Sequence, residues 1–504
     1  MKKKQCMIVL LLCFMLVACT ACGEKDSTDN GKTREKGTDT AVSSDLVLDG
    51  RAEVKYTERD LDGTFDEATE LTLKESHTIT EAGIYVVRGA MDDGQLIVDA
   101  DEQAKVQIVL DGVDFTSKKG PVIYVKSADK VFLTLAEDTE NYLTDGNNYA
   151  SSLVKEDEPW GAVFSKDDLT INGTGKLTVN GKYLHGIVSK DSLKVTGGNI
   201  HVNAVEDGMR GKDELCIHDG DIMIMAGEDG LKSNNDTDEG RGNVSIDGGN
   251  VLIQKTASQA IDAYNVAQIL GGTVTLESEN EGIQGKHIYI KDGTIDIDAV
   301  DDCLNAKDSL IEDTEVNHQD ALLEIAGGIL VLRTTAGDGL DSNGSILVSG
   351  GKTIVHGSSG GVEVAMDYNG TGTIDGGIVL ATGSNGMAQN FDESSSQCSL
   401  LYDQSGRSGT TIALSGSNGE ELISFSADHD FSSLIISTPD MNVGDTYTLS
   451  VGDAEISVEM TDIIVNRGGM GGPGGMGGGF HDGPGGVEGP GGPGIPGSIG
   501  ERPM

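Results

Sequence analysis

The sequence has few basic and few aromatic residues, and both shortages exclude classes of function. Its 504 residues include 36 Lys and Arg against 82 Asp and Glu, which gives a formal net charge of −46. Nucleic acids and anionic lipid surfaces are bound by basic surfaces, so we expect no nucleic-acid partner. Aromatic residues make up 4% of the chain and include a single Trp, which leaves little material for stacking surfaces. Cations, or polymers approached through cations, are therefore the expected partners.

Cysteine and long apolar runs are also scarce. Only Cys216, Cys303 and Cys398 follow the first 22 residues, and their wide spacing fits neither a disulfide framework nor a zinc site. The apolar run Met7–Val17 follows Lys2–Lys4 and is too short to span a bilayer, which is typical of a secretion signal. No segment keeps a helical period over about 12 residues with capping signals.

The end of the apolar run predicts a lipid anchor. Leu16-Val17-Ala18-Cys19 resembles the cleavage box of bacterial lipoproteins, with Cys22 as a second candidate for lipidation. We predict a lipoprotein signal peptide over residues 1–19, lipidation at Cys19 and attachment to the extracellular face of the cell membrane. An ordinary signal peptide with incidental cysteines is the alternative. The polar residues 20–55 predict a flexible linker.

The middle of the chain repeats itself about every 22 residues. Two short runs of alternating apolar residues, separated by a Gly pair or Asp-Gly, follow each start. The starts are Gly186, Gly208, Gly230, Ala260, Gly282, Cys303 and Gly339. Insertions at residues 234–242 and 311–322 account for the longer steps, and we expect both to leave the repeat at one corner.

This period predicts an all-β fold, a parallel β-helix with coils of about 22 residues over residues 56–399. One such unit cannot bury its own apolar face, whereas stacked copies share a continuous core. Propeller blades and leucine-rich repeats have other periods and signatures. Residues 400–466 alternate like antiparallel strands and predict a small C-terminal β region. Residues 467–504 are rich in Gly, Pro and Met and predict a disordered tail.

Aligned repeats produce two columns of polar residues. The first column contains Asp207, Asp229, Gln259, Glu281, Asp302 and Asp338. The second, three residues later, contains Arg210, Lys232, Asp262, Gln284, Asn305 and Asp341. Equivalent side chains in adjacent coils lie about 5 Å apart, so a ladder of carboxylates requires pairing, protonation or a cation. Bases accompany the acids in the early coils, and from Asp262 onward we expect the acids to be unpaired.

The unpaired acids predict a calcium site, because calcium is a hard cation that takes oxygen ligands. The main predicted ligands are Asp262, Asp301, Asp302, Asn305, Asp338 and Asp341. A weaker second site would use Glu206, Asp207, Glu228, Asp229 and Asp236. The alternative interpretation is turn chemistry, since Asp-Gly is a common turn sequence.

Several segments resemble a known family. They are Ala162–Gly175, Asp207–Asp213, Asp229–Asp236 and the opening Arg59-Asp60-Leu61-Asp62. They are similar to bacterial carbohydrate-binding-domain lipoproteins, described as cellulose- and pectin-binding, calcium-containing right-handed parallel β-helices. The resemblance covers residues 56–466 and implies calcium as cofactor and an acidic or neutral plant polysaccharide as ligand. Where the family tends to repeat Asp-Gly, this chain has Gln259-Ala260.

We therefore expect a non-catalytic surface lipoprotein that binds polysaccharide, such as polygalacturonate, pectin or cellulose. Trp160, Tyr264 and Lys286 are candidate ligand contacts, although Trp160 also fits a packing role. We assign no catalytic residue.

Two other functions remain open. The segment Asp301–Asn305 is similar to the calcium motif of pectate lyases, except that Asn305 replaces its last acid. A calcium-dependent lyase would use Lys286, Lys307 or Arg333 as base. A cell-surface adhesive or structural protein is the third possibility. The sequence does not fix the oligomeric state.

Overall fold

The computed structural model describes residues 51–65, 67–150, 158–314 and 316–467. The predictions for the signal peptide, Cys19, Cys22, most of the linker and the C-terminal tail lie outside these residues. Within them, α-helix is confined to Glu58–Leu61. None of their helices has the length and apolar content needed to cross a membrane.

The strands form three parallel stacks and a C-terminal region. A twelve-stranded sheet, here the short-strand sheet, contains His77–Ile79, Leu96–Asp99, Ile123–Ser127, Gly161–Ser165, His185–Ser189, Met209–Gly211, Leu231–Ser233, Ile261–Ala263, Ile283–Gly285, Leu304–Ala306, Leu340–Ser342 and Met366–Tyr368. The first stack of a 24-stranded sheet contains Thr69–Leu73, Gly83–Met91, Lys105–Thr116, Lys130–Leu135, Asp168–Gly173, Ser192–Val195, Glu214–Ile217, Asn243–Ile246, Val266–Ile269, His287–Ile290, Leu322–Ile325, Ser345–His356 and Gly372–Gly383. Its second stack contains Glu140–Thr144, Lys176–Gly181, Asn199–Ala204, Asp221–Ala226, Asn250–Thr256, Thr273–Ser278, Thr294–Ala299 and Ile329–Thr334.

Each repeat contributes one strand to each stack. In the repeat that starts at Gly208, these are Met209–Gly211, Glu214–Ile217 and Asp221–Ala226. Each strand pairs in parallel with its equivalent in the next repeat, so Met209 lies beside Leu231 and Ile222 beside Val251. The all-β class and the large parallel sheets are therefore confirmed.

Both long steps of the repeat are insertions at one corner. Residues 234–242 and 307–321 each connect a strand of the short-strand sheet to the next strand of the first stack. The opposite corner, between the two stacks, is a Gly pair or Asp-Gly. Gly272 has a φ of +90°, and a Cβ there would lie 2.7 Å from the carbonyl oxygen of Gly249. Glycine is needed at this corner because successive turns approach so closely.

A single apolar core runs between the stacks. Alternate strand residues point inward, and the apolar ones among them, such as Met209, Leu231 and Ile283, are buried in the core. Cys216, Cys303 and Cys398 are buried free thiols.

The C-terminal region has its own core. The strands Ser399–Tyr402, Ser433–Ser437 and Ile464–Arg467 extend the 24-stranded sheet, with antiparallel pairing between Gly372–Gly383 and Ser433–Ser437. A separate antiparallel sheet contains Thr411–Ser415, Glu421–Ser426, Thr446–Val451 and Ala454–Glu459. A second cluster of buried side chains, including Leu414, Leu449 and Val465, fills this region.

Residues 51–65, here the N-terminal segment, cross the outer face of the first stack. The Ala52 N–H donates to Gln268 Oε1 at 3.0 Å, and the Tyr56 hydroxyl donates to Asp247 at 2.9 Å. Farther along, Asp60 contacts Lys130 and Thr170. Residues 51–55 therefore contact the sheet, although the sequence placed them in the flexible linker.

Asp60 fixes this segment through a buried ion pair. Lys130 Nζ lies 2.7 Å from Asp60 Oδ1, to which the Thr170 hydroxyl also donates. Burial raises the pKa of Asp60, but the hydrogen bonds from Lys130, Thr170 and Thr57 outweigh it and hold the pKa at about 2. The carboxylate is therefore charged and fully buried.

Replacement of Lys130 tests this pair. In Lys130→Met, Asp60 keeps its charge in a buried place without its partner, and we expect a loss of about 3–5 kcal/mol in the free energy of unfolding. Lys105→Met is the matched control, because Lys105 lies beside Lys130 in the sheet but its ion pair with Asp129 is exposed, and should cost at most about 1 kcal/mol. Chemical denaturation measures both. Equal losses would contradict a special role for the buried pair.

Candidate functional site

One side chain of each short strand points away from the core, and together these form the outer column. In register, the outer column contains Ile97, Tyr124, Phe164, Val188, Arg210, Lys232, Asp262, Gln284, Asn305, Asp341 and Asp367. It is apolar at its N-terminal end, basic in the middle and acidic at its C-terminal end. The second sequence column is part of it.

The first sequence column lies at the preceding corner, where each acid has a structural task. The N–H of Asp229 donates to Asp207 Oδ1 at 3.3 Å, and the N–H of Gln259 donates to Asp229 Oδ1 at 3.0 Å. Asp302 Oδ1 accepts from the Asp338 N–H at 2.7 Å. One oxygen of each of these carboxylates thus accepts a hydrogen bond from the backbone of the next coil.

In the early coils the second oxygen is neutralised by a base. Arg210 lies 3.3 Å from Asp207 Oδ2, and Lys232 pairs with Asp229 Oδ2. Lys232 also lies 3.0 Å from Asp262. The expectation that Asp262 is unpaired is therefore wrong, because in-register stacking places it directly beside Lys232.

In the late coils the basic partner is replaced, first by amides and then by acids. Asn305 Nδ2 donates to Asp302 Oδ2 at 2.9 Å. One coil later, Asp341 takes the position of Asn305 and Asp338 that of Asp302. The amide is thus replaced by a carboxylate, and the carboxylates of Asp338 and Asp341 lie close together. Asp338, Asp341 and Asp367, here the acidic cluster, each place a carboxylate oxygen within 4.8 Å of the others.

Two amide side chains beside the acidic cluster, those of Asn305 and Gln389, have oxygen atoms that accept no hydrogen bond within the described part of the chain. Asn305 precedes Asp341 in the outer column and is 6% exposed, and its Oδ1 is buried without a hydrogen-bond partner in the described part of the chain. Gln389 donates to Asp367 through Nε2, while its buried Oε1 has no such partner. Buried polar atoms are normally paired, so oxygens of this kind beside carboxylates fit a cation ligand.

The electrostatics of the acidic cluster are those of crowded, buried acids. Burial, followed by the charges of Asp302 and Asp367, raises the pKa of Asp338 to about 8, although the Val364 N–H opposes the rise. Burial and the charges of Asp302 and Asp338 raise the pKa of Asp341 well above its usual range. Without a cation, these carboxylates therefore hold protons at pH values where ordinary acids are ionised.

The residues of the predicted second metal site are distributed differently. Asp207 and Asp229 pair with Arg210 and Lys232, and Asp236 is exposed in the insertion at residues 234–242. Glu206 lies 3.7 Å from His185 Nε2. In the early coils, Arg210 and Lys232 thus neutralise the acids that a metal ion would otherwise neutralise.

The candidate ligand contacts do not converge on the acidic cluster. Trp160 packs edge-on against Phe164, with ring centroids 5.0 Å apart. The backbone N–H of Tyr264 bonds to Ser233 at the corner after the short strand. Lys286 pairs with Asp308 at 2.9 Å.

The candidate bases also differ in position. Arg333 pairs with Asp296 and Asp428 on the second stack. Lys307 pairs with Glu281 at 3.4 Å, and its charge lowers the pKa of Asp341 against the larger effect of burial. Of the three candidates, Lys307 is the one whose charge contributes to the pKa of Asp341 as a leading cause.

Sequence reasoning missed Asp367 and Gln389. Ala365-Met366-Asp367-Tyr368 matches Gly339-Leu340-Asp341-Ser342 position by position. Continuing the alignment by one coil would have found Asp367. Gln389 lies after the last short strand, and no repeat signal marks it.

Comparisons with known proteins agree with the resemblance. The family described as carbohydrate-binding domain-containing protein matches residues 74–321. A protein of that description from Acetivibrio thermocellus is 37% identical over 190 residues, which are 37% of this chain and 61% of that protein. These two matches confirm the resemblance to carbohydrate-binding-domain proteins. The chain spans about three-fifths of the relative's length, and the family match ends before the acidic cluster.

A solved structure is also similar. It is described as the polysaccharide lyase-like protein from C. thermocellum, in a gadolinium derivative, and is 29% identical to this chain. The match covers 54% of this chain and 87% of that one, with a TM-score of 0.37.

The raised pKa values predict how stability depends on pH in chelated protein. Asp338 and Asp341 bind protons more tightly when folded than when unfolded, where their pKa is about 3.9. From about pH 4 to pH 8, the folded state therefore holds more protons, and the free energy of unfolding falls as pH rises. We expect Asp341→Asn to reduce this fall and exposed Asp236→Asn to leave it unchanged. Thermal unfolding at pH 5 and pH 8 with chelator measures the difference, and identical slopes in both variants would contradict the electrostatic account.

Proposed function

We propose that this protein binds acidic polysaccharide, such as polygalacturonate, through calcium held at the acidic cluster. The observation that carries the proposal is the change along the outer column, where bases neutralise the early acids and no described base pairs with Asp338 or Asp341. We further propose that the chain is a non-catalytic lipoprotein, anchored through Cys19 on the extracellular face of the cell membrane.

The fold that we infer is a parallel β-helix. The support is the in-register parallel pairing of equivalent strands at intervals of one repeat, in three stacks around one core. The right-handed sense comes from the family resemblance. In this fold the outer column is a straight line of side chains parallel to the helix axis, a suitable path for an extended polymer.

Calcium is supported by the donors that surround the acidic cluster. Calcium takes six to eight oxygen ligands from carboxylates, amides and water. Asp338, Asp341 and Asp367 supply carboxylate oxygens, and Asn305 and Gln389 supply amide oxygens without donors. A calcium ion would neutralise the crowded charges that otherwise hold protons. It would stand where Arg210 and Lys232 stand in the early coils.

An acidic glycan is supported by the charge of the whole protein. At −46 the surface repels a polyanion at long range. A calcium ion with open coordination positions provides a local attraction for uronate carboxylates. Neutral glycans such as cellulose would need stacking surfaces, and aromatic residues are scarce.

The metal site is tested with Asp341→Asn and Asp236→Asn. We expect calcium to raise the melting temperature of the wild type at pH 8, because a ligand that binds only the folded state stabilises it by about 2.7 kcal/mol at 100 times its Kd. Asp341→Asn should weaken calcium affinity at least tenfold in isothermal titration calorimetry. Asp236→Asn should bind as the wild type does. Equal affinities of the two variants would exclude the acidic cluster as the site.

Binding of the polymer is tested by pull-down on insoluble pectin and on cellulose. We expect retention on pectin in calcium and release by a chelator, with Asp341→Asn retained poorly and Asp236→Asn retained normally. Retention that a chelator does not change would contradict bridging through calcium. Retention on cellulose but not on pectin would indicate that the ligand is a neutral polysaccharide instead of an acidic one.

A calcium-dependent lyase is the second candidate, favoured by the position of Lys307 near the acidic cluster. Such an enzyme removes the proton α to a uronate carboxylate that calcium has acidified. With polygalacturonate and calcium we expect binding without the ultraviolet-absorbing unsaturated product. Appearance of that product in the wild type, and its loss in Lys307→Ala with calcium affinity unchanged, would replace the binding function by the lyase.

A further inference from the structure

We propose that a cavity beside Trp160 binds a carboxylate-bearing sugar unit directly, without a metal ion. The inference deepens the proposed function, because it assigns a second contact for the same acidic polysaccharide. It differs from the acidic cluster in charge, in position and in independence from calcium.

The cavity lies at the basic middle of the outer column. It has a volume of about 240 Å³, and its lining includes Trp160, Val188, Lys190, Arg210, Lys212 and Asn234. Sites for drug-sized ligands occupy about 300–1,000 Å³, so this cavity suits one small unit of a polymer. Val188 is the apolar aliphatic residue of the lining, and Lys190, Arg210, Lys212 and Asn234 are polar.

The charge of the lining is opposite to that of the protein. Lys190, Arg210 and Lys212 approach the cavity, although the chain as a whole carries −46. Lys190 is paired with Glu158. Lys212 has no ion pair within the described part of the chain, although its charge opposes the rise that burial causes in the pKa of Asp191.

Arg210 is positioned with donors to spare. Its Nη1 lies 3.3 Å from Asp207 Oδ2, and its Nε donates to Asn234 Oδ1 at 3.3 Å. These contacts hold the plane of the guanidinium group. Arginine has five N–H donors, so other donors remain for a carboxylate, which arginine recognises with two parallel hydrogen bonds.

Trp160 supplies a fixed aromatic surface. Its ring packs edge-on against Phe164, which forms a buried cluster with Tyr124 and Val188. Lys190 Nζ lies 5.6 Å from the indole centroid. An aromatic ring with an apolar support and a polar border suits a ligand with one apolar and one polar face. A sugar acid has this character, because its C–H face can stack while its carboxylate reaches Arg210 and Lys212.

The cavity and the acidic cluster share one line. From Arg210 to Asp341 the outer column advances five strands, which is about 24 Å at the usual strand spacing. One extended polymer along the column can therefore contact Arg210 directly and the acidic cluster through calcium. Contacts linked in one chain strengthen each other through effective concentration.

The single Trp of the chain makes a direct test possible. We expect trigalacturonate to change the Trp160 fluorescence saturably in the presence of a chelator. Neutral galactotriose at the same concentration should bind at least tenfold more weakly. Lys212→Met should weaken trigalacturonate binding at least fivefold, whereas Lys255→Met, which removes an exposed lysine of the second stack, should not.

Three outcomes would overturn the cavity proposal: no saturable change in chelator, equal binding of the neutral trisaccharide, or an unaffected Lys212→Met. Inorganic phosphate is titrated in parallel, and an equal affinity for it would show a general anion site instead of a sugar-acid site. Failure here with intact calcium-dependent retention on pectin rejects the cavity alone. Loss of calcium-dependent retention with a positive titration rejects the bridging role of calcium alone.

Discussion

Parallel stacking of equivalent strands is the constraint on which the rest of this structure depends. Each coil repeats the last at about 4.8 Å, so every side chain has a copy of its own position directly above and below. Inside, this demands continuous apolar rows such as Met209, Leu231 and Ile261. Outside, it forces residues of equal charge together wherever the sequence repeats them. A column of polar side chains is stable only if the charge at each position is avoided, paired or neutralised by its neighbours.

The outer column shows four such solutions in sequence. Phe164 and Val188 avoid charge altogether, and Trp160 packs against this apolar part. Arg210 and Lys232 neutralise the corner carboxylates, and Lys232 also serves Asp262 of the next coil. Gln284 donates to Asp262 Oδ1 at 3.2 Å, so an amide replaces a base. Asp367 accepts a hydrogen bond from Gln389. Asp341 has no base or amide as a partner within the described part of the chain, so protons or the proposed cation must balance its charge. The gradient therefore gathers the acids without a basic partner at one end of the column, where we propose that a cation binds.

Much of this could be predicted from the sequence, because a repeat exposes its register. The strands, the corner of both insertions and the columns around Asp207 and Asp302 follow from aligned positions. The alignment could not say which neighbour a long side chain selects, so the pairing of Lys232 with Asp262 was missed. It also carried no information about Arg51 to Phe65, whose contacts reach residues far along the chain, as from Ala52 to Gln268. Contacts between equivalent positions of the repeat can be predicted from the aligned sequence. Contacts that the N-terminal segment makes with distant strands cannot, because that segment is not part of the repeat.

The same register explains why one face can combine two kinds of recognition. A rigid row fixes the spacing between the proposed direct contact at Arg210 and the proposed metal-mediated contact at Asp341, since strands within a stack cannot slip by one residue without turning apolar side chains outward. A flexible surface would lose binding energy in ordering these two points. A stiff, repeating polymer binds more favourably to a stiff, repeating protein. The binding positions are already ordered in the folded state, so binding loses little conformational entropy of the protein. We therefore expect the double variant Lys212→Met/Asp341→Asn to lose more affinity for a long polymer than either single variant loses for a short oligomer. Measuring affinity over a series of polymer lengths tests this coupling.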